Sequence, residues 1–193
     1  MSTHRKMTTG VIGLDALIEG GYPDESIIIV IGSSLSGIDH IARQFWKEED
    51  GGSYLMIDGE VEHGMVDARG MTPDVFPSSY KGKRIVVDSL STIVLTFGID
   101  AALDCLLAAR EEATREQKTI MFLLYNSIHK PEDENRIFRL ADVLIELKVV
   151  MHVTEVERQL AVHKLRSATV PKRLLPFNIT DKGIELSTTS RVV

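Results

Sequence analysis

The sequence predicts a mixed α/β fold: a mostly parallel central sheet flanked by helices, with antiparallel hairpins at the C-terminal end. Three observations predict it. Short β-branched runs alternate with helical apolar spacing up to about residue 140, and such alternation requires crossover connections between parallel strands. Beyond residue 141, strand-like segments follow one another with only short turns between them. With 193 residues, 44% hydrophobic and 26% charged, the chain can bury one core of ordinary size.

The elements follow in order. Residues 1–8 are expected to be a flexible tail, because Met1 to Lys6 is polar and basic. Ser26 to Ile31 is an apolar, largely β-branched run stopped by Gly32, as in a strand buried on both faces. Ile38, Ile41, Ala42, Phe45 and Trp46 recur at helical spacing up to the break at Asp50-Gly51-Gly52. Tyr54–Ile57 and Ile85–Val87 are short strands ended by Asp58-Gly59 and by Asp88. Ile99, Leu103, Leu106, Leu107 and Arg110 mark a long helix, and Ile120–Leu124 the next strand. Val143–Val153 and Gln159–Leu165 form a hairpin about Glu155-Val156-Glu157. Leu174–Ile179 and Gly183–Leu186 form a smaller one turned by Thr180-Asp181-Lys182. No linker or repeat divides the chain, so residues 1–193 are expected to be one domain, with a core over 9–140 and an antiparallel extension over 141–193.

Several function classes lose support at once. The lone Cys105 allows no internal disulfide and falls in a helical pattern, as a small buried residue would. A net charge of −6 and few aromatic residues disfavour nucleic-acid binding. No apolar run approaches the roughly 18 residues of a membrane span, and nothing resembles a signal peptide, so membrane insertion is not expected and the location expected is cytoplasmic. His40, His63, His129, His152 and His163 show no zinc-ligand spacing. The signature G-x-S-x-G of a serine nucleophile is absent. Lys164, Arg166, Lys172 and Arg173 cluster in sequence, as do the acidic Asp58, Glu60, Glu62 and Asp67. That asymmetry suits head-to-tail packing of subunits, or two solvated faces.

One loop carries a chemical signal. Gly32-Ser33-Ser34-Leu35-Ser36-Gly37-Ile38-Asp39 stands between the buried strand and the apolar helix, with the glycine spacing of the P-loop G-x-x-x-x-G-K-[ST]. Such glycines let backbone N–H groups turn toward phosphate oxygens. The P-loop lysine reaches the β- and γ-phosphates and the hydroxyl ligates magnesium. Ile38 and Asp39 supply neither group. A carboxylate at a helix N-terminus is favourable with the dipole, so Asp39 can cap the helix and fill the anion site from within. Asp39, Asp58, Glu60 and Asp88 converge on the carboxyl edge of the predicted sheet, where such folds bind ligands, with no cation expected nearby. Magnesium held by Asp39 and Asp88 is the alternative.

Thr9-Gly10-Val11-Ile12-Gly13-Leu14-Asp15, the turn at Gly20-Gly21, the degenerate loop, Ile85-Val86-Val87-Asp88-Ser89, Lys164-Leu165-Arg166-Ser167 and Pro176-Phe177-Asn178-Ile179-Thr180-Asp181-Lys182-Gly183-Ile184 occur in that order. Together they resemble the RecA/KaiC-like branch of P-loop ATPases, of archaeal type, over nearly the whole chain. The resemblance implies a RecA-like fold. It implies that Glu60 stands at the first of two water-activating acids, with Val61 at the second, and Asp88 at the magnesium-holding aspartate. Lys164 and Arg166 would reach a neighbouring subunit's nucleotide. About 24 residues separate Glu60 from Ile85, which is short for the family.

The expected function is therefore non-catalytic: a regulatory or scaffold protein in signal transduction or a motility-type assembly, with Glu60 and Asp88 vestigial and no cofactor. It would form a homo-oligomer between dimer and hexamer and bind a further protein. The alternatives are an ATPase using ATP and magnesium with cations from a neighbouring subunit, and a recombinase-like nucleic-acid module. Lysine and threonine at positions 38 and 39 are expected to restore phosphate affinity before turnover.

Overall fold

In the computed structural model, which describes residues 5–48, 51–166 and 168–187, the first strand pair comes from the expected tail. β1 (Lys6–Met7) pairs antiparallel with β2 (Tyr22–Pro23), on either side of the short helix α1 (Leu14–Leu17). Residues 1–4 lie outside the described ones, but the tail assignment fails at Lys6–Met7, because Met7 is buried and its backbone finds strand partners. The T-G-x-x-G-L-D segment closes on itself: Asp15 accepts from the Thr8 hydroxyl and from both the N–H and the hydroxyl of Thr9.

β3 (Ile27–Gly32) lies in the middle of the sheet with every residue buried. Ile28 and Val30 face one core together with α2 (Ile38–Trp46). Ile27, Ile29 and Ile31 face a second core on the opposite side. This two-sided burial is why the strand reads as unbroken apolar sequence. β4 (Gly52–Met56), β5 (Val66–Asp67) and a 3₁₀ segment, Pro73–Ser79, follow. Next come β6 (Arg84–Asp88), α3 (Leu90–Phe97), α4 (Ile99–Arg115) and β7 (Thr119–Tyr125). α5 (Pro131–Leu140), β8 (Val143–Met151), β9 (Val156–Leu165), β10 (Leu175–Thr180) and β11 (Gly183–Leu186) complete the order.

The main sheet has nine strands in the order β11-β10-β9-β8-β3-β7-β6-β4-β5. All pairings from β8 to β5 are parallel, and those from β8 outward through β11 are antiparallel. The expected mixed fold is thus present, with one displaced boundary. β8 was assigned to the antiparallel extension, but it runs parallel to β3, with Ile28 opposite Val143 and Gly32 opposite Leu147. The antiparallel part begins at Val156.

Besides the short α1, two helices escaped the apolar spacing. α3 is rich in β-branched residues, and its start depends on Ser89, whose hydroxyl caps it by accepting from the Thr92 N–H at 3.3 Å. α5 buries only Ile137, but Pro131 at its start and Glu132, Asp133 and Glu134 in its first turn are N-terminal helix signals. Gln44 joins three segments that the sequence separates widely. Its amide donates to the carbonyls of Gly10 and Ile184 and accepts the Ile184 N–H at 2.7 Å. The N-terminal turn, α2 and the last hairpin are thereby one unit.

Candidate functional site

The Gly32–Asp39 loop occupies the place expected of it, between the end of β3 and the start of α2. Its shape is set by its own hydrogen bonds. The Ser36 N–H and hydroxyl both donate to the Ser33 carbonyl, at 3.0 and 2.6 Å, and Ser36 is fully buried. Ser34 and Leu35 are exposed at the tip. Gly37 has φ of 88°, and a Cβ there would come within 2.7 Å of Ile179 Cδ1. The β10–β11 hairpin therefore backs the loop and requires glycine at 37.

The Ile38 side chain is 1% exposed and belongs to the core between the sheet, α2 and the C-terminal hairpin. Position 38 thus serves packing. Asp39 is half-exposed and forms an ion pair with Arg43, one turn along α2; the other arm of the Arg43 guanidinium meets Glu62 Oε1 at 2.6 Å. This corrects the expectation that the acidic cluster has no local cation. The cation comes from the helix itself, at the i,i+4 spacing that brings two side chains onto one face.

Asp88 ends β6 beside Met56 of β4 and is 4% exposed. It accepts a hydrogen bond from the Tyr54 hydroxyl at 2.7 Å. Its peptide bond to Ser89 is cis. Burial, above all, raises its pKa from 3.8 to about 6; Tyr54 and Arg43 oppose the rise and Asp58 and Asp39 add to it. The same burial, with Asp88 nearby, pushes the Tyr54 and Tyr125 hydroxyls far above their ordinary range. Asp58 accepts from Thr92 and, at 3.4 Å, from Ser89.

The raised pKa fixes a sign. Between pH 3.8 and 6 the folded chain holds a proton on Asp88 that the unfolded chain releases, so stability falls as pH rises through that window and the deficit is complete above it. Asp88→Asn keeps an acceptor for Tyr54 and is expected to stabilise the protein by about 2 kcal/mol at pH 8. The gain should disappear near pH 4. Thermal unfolding at the two pH values checks this, and an equal effect at both would refute it.

Other predicted residues are placed differently. Glu60 is exposed and has no hydrogen bond or ion pair among the described residues, whereas Val61 packs against the core. Glu62 is the acid that reaches α2. Lys164 and Arg166 are engaged within the chain. The Lys164 ammonium lies 3.3–3.4 Å from the carbonyls of Phe138 and Arg139 at the end of α5. Arg166 donates to the carbonyls of Asp24 and Glu25 and pairs with the buried Asp142.

On the opposite face of the sheet, a cavity of about 500 Å³ opens between β3, β8 and α5, lined in part by His129, Glu134, Glu146 and His163. His129 contacts Ser91 Oγ and His163 contacts Glu146, each within 2.8 Å. Among the described residues no group of three or more His, Cys, Asp or Glu side chains is arranged to hold a metal ion. At the loop, Asp88 and Asp39 are each engaged by a protein donor, so these residues do not fit a ready magnesium site. Sequence reading passed over Arg43 and Tyr54 as site residues and named Glu62 only among the clustered acids. The Asp39–Arg43 spacing was the one signal available for finding them.

The model of the family described as "ATPase: KaiC" matches residues 76–191, more than half of the chain. The match begins beyond the Gly32–Asp39 loop. UPF0273 proteins of Pyrococcus furiosus and Pyrococcus horikoshii are each 23% identical, over 93% of this chain and 93% of their own. Each alignment spans 235 positions, more than the 193 residues here, so these relatives carry insertions that this chain lacks. A solved structure of a KaiC-like protein from Pyrococcus horikoshii OT3 superposes with a TM-score of 0.77 at 20% identity. It covers 95% of this chain and 99% of that one. No helix among the described residues is long and apolar enough to cross a membrane.

Proposed function

The chain belongs to the KaiC family of ATPases, and we propose that it is a member that does not hydrolyse ATP and acts as a regulatory or scaffold subunit. The observation that carries this reading is the fate of position 38. Where the family's loop pattern has its phosphate-gripping lysine, this chain has an isoleucine committed to the core. Electrostatic stabilisation supplies most of the catalysis of phosphoryl transfer. Here the loop's own charge is a carboxylate, and the cation beside it is already shared between two acids.

A scaffold role in a signalling or motility-type assembly, in the cytoplasm, accords with a retained framework around a lost grip. Self-association between dimer and hexamer belongs to the same proposal. It draws no support from Lys164 and Arg166, whose charges are used inside the chain. A second reading, an ATP-binding member, has Arg43 behind it, as a cation already present beside the loop.

Calorimetry with ATP and magnesium, together with a phosphate-release assay, separates the two. The expected outcome is no phosphate release above that of a buffer control. Micromolar ATP affinity with release abolished by Asp88→Ala would overturn the proposal.

A further inference from the structure

We propose that Arg43 is the anion-binding residue of this chain and that Glu62 blocks it as an internal carboxylate ligand, which a polyphosphate displaces. The inference rests on reading the Gly32–Asp39 loop as an inherited phosphate site.

The geometry is that of an occupied guanidinium fork. One arm of Arg43 holds Asp39 and the other holds Glu62 Oε1 at 2.6 Å. Two oxygens on one planar fork is the arrangement by which arginine also takes a phosphate. Its pair with Asp39 holds Arg43 against the last residue of the loop. It stands one helical turn beyond Asp39.

The two acids are not equivalent. Asp39 lies on the same helix as Arg43, four residues away, so its carboxylate stays on the Arg43 face of α2 whichever rotamer it adopts. Glu62 comes from the segment between β4 and β5, and is itself 42% exposed. That segment is held by a turn from the Met65 N–H to the Glu62 carbonyl and by Val61 and Met65 against the core. Gly64 faces the Trp46 ring, where a Cβ would lie 3.5 Å away. The Glu62 carboxylate can swing out while those backbone and apolar contacts stay in place. An anion arriving at the loop thus displaces Glu62, whose carboxylate leaves α2 altogether, whereas that of Asp39 remains on the helix. The ligand class is a polyphosphate: two or more linked phosphates can meet Arg43 and the loop backbone together, whereas a single carboxylate reaches only Arg43.

Calorimetric titration of the full chain with inorganic pyrophosphate, without magnesium, tests this. Glu62→Gln should bind pyrophosphate about fivefold more tightly than wild type, a modest factor because the pair it breaks is partly exposed. The gain should shrink at high salt and vanish in Arg43→Gln/Glu62→Gln. Equal affinity of Glu62→Gln and wild type, no measurable binding by either, or a gain that survives without Arg43 would each overturn the proposal. Phosphate release from ATP, followed in the same proteins, keeps the two readings apart. Release by Glu62→Gln would sink the non-hydrolysing assignment and leave the Arg43 site standing. A missing affinity gain with no release would do the reverse.

Discussion

Replacing Asp142 with alanine is expected to destabilise the protein by about 3–5 kcal/mol, the usual loss when one partner of a buried ion pair is removed. Asp142 is 7% exposed and stands at the start of β8. Its carboxylate accepts the Ile27 N–H at 2.9 Å, where β3 begins. It pairs with Arg110 of α4 at 3.1 Å and with Arg166 at 3.4 Å. Its backbone bonds to Ile27 and Arg166 as well. One side chain thus ties α4, β3, β8 and the end of β9 at the amino edge of the sheet. Alanine would strand a buried N–H and leave two guanidinium groups facing each other without their acid. For a chain of this size the loss corresponds to a fall of about 10 °C in Tm. Asp142→Asn keeps an acceptor for Ile27 and loses only the charge, so it should fall between wild type and alanine. A loss below about 1 kcal/mol for alanine in a denaturant titration would show that the cluster contributes no more than a surface pair.

That cluster also shows where sequence reading stops. Ile27–Ile31 was legible as a central strand because both of its faces are buried, which removes the polar residues that alternate on a one-sided strand. α3 was not legible, since Leu90–Phe97 has the β-branched composition of a strand and becomes a helix through its Ser89 cap and the packing of Leu90 and Ile93. The direction of β8 was equally hidden. Val143–Met151 has the same pattern whichever way its neighbour runs, and it is parallel because the strand beside it is the distant β3, with Gly32 opposite Leu147. Around Lys164 and Arg166 the register shifts between Leu144 and Ile145, so that Leu144 opposes Lys164 and Ile145 opposes Val162. A bulge of this kind re-aims the side chains that follow it. Simple alternation along β9 could not show that Arg166 turns inward to Asp142. The loop itself was placed between strand and helix from glycine spacing and its flanks, whereas the Arg43–Glu62 contact joins residues 19 apart with β4 between them and had no local signature.

Ile38→Lys is the second large effect expected, and it reverses what the loop pattern alone suggests. By the pattern, lysine at 38 restores a phosphate grip. In the structure the side chain at 38 is 1% exposed and lies in the core with Ile41, Phe45 and Ile184. Holding an ammonium there costs on the order of 5 kcal/mol at neutral pH, comparable to the whole stability of a marginal domain. Ile38→Met, which conserves volume and polarity, should cost less than about 1.5 kcal/mol. The contrast separates a charge effect from a packing effect at the same site. Asp39→Thr does not rescue the lysine, because it also removes the Asp39–Arg43 pair that neutralises the first turn of α2. The double variant should therefore unfold earlier than wild type and bind ATP no better, measured by thermal unfolding and by calorimetry on the fraction that remains folded. If the lysine variant instead kept wild-type stability and bound ATP at least ~10-fold more tightly, a gain of about 1.4 kcal/mol, the side chain would have turned out of the core into the crevice. Position 38 would then still belong to a phosphate site, and the reading of this chain as a member that has lost its grip would fall with it.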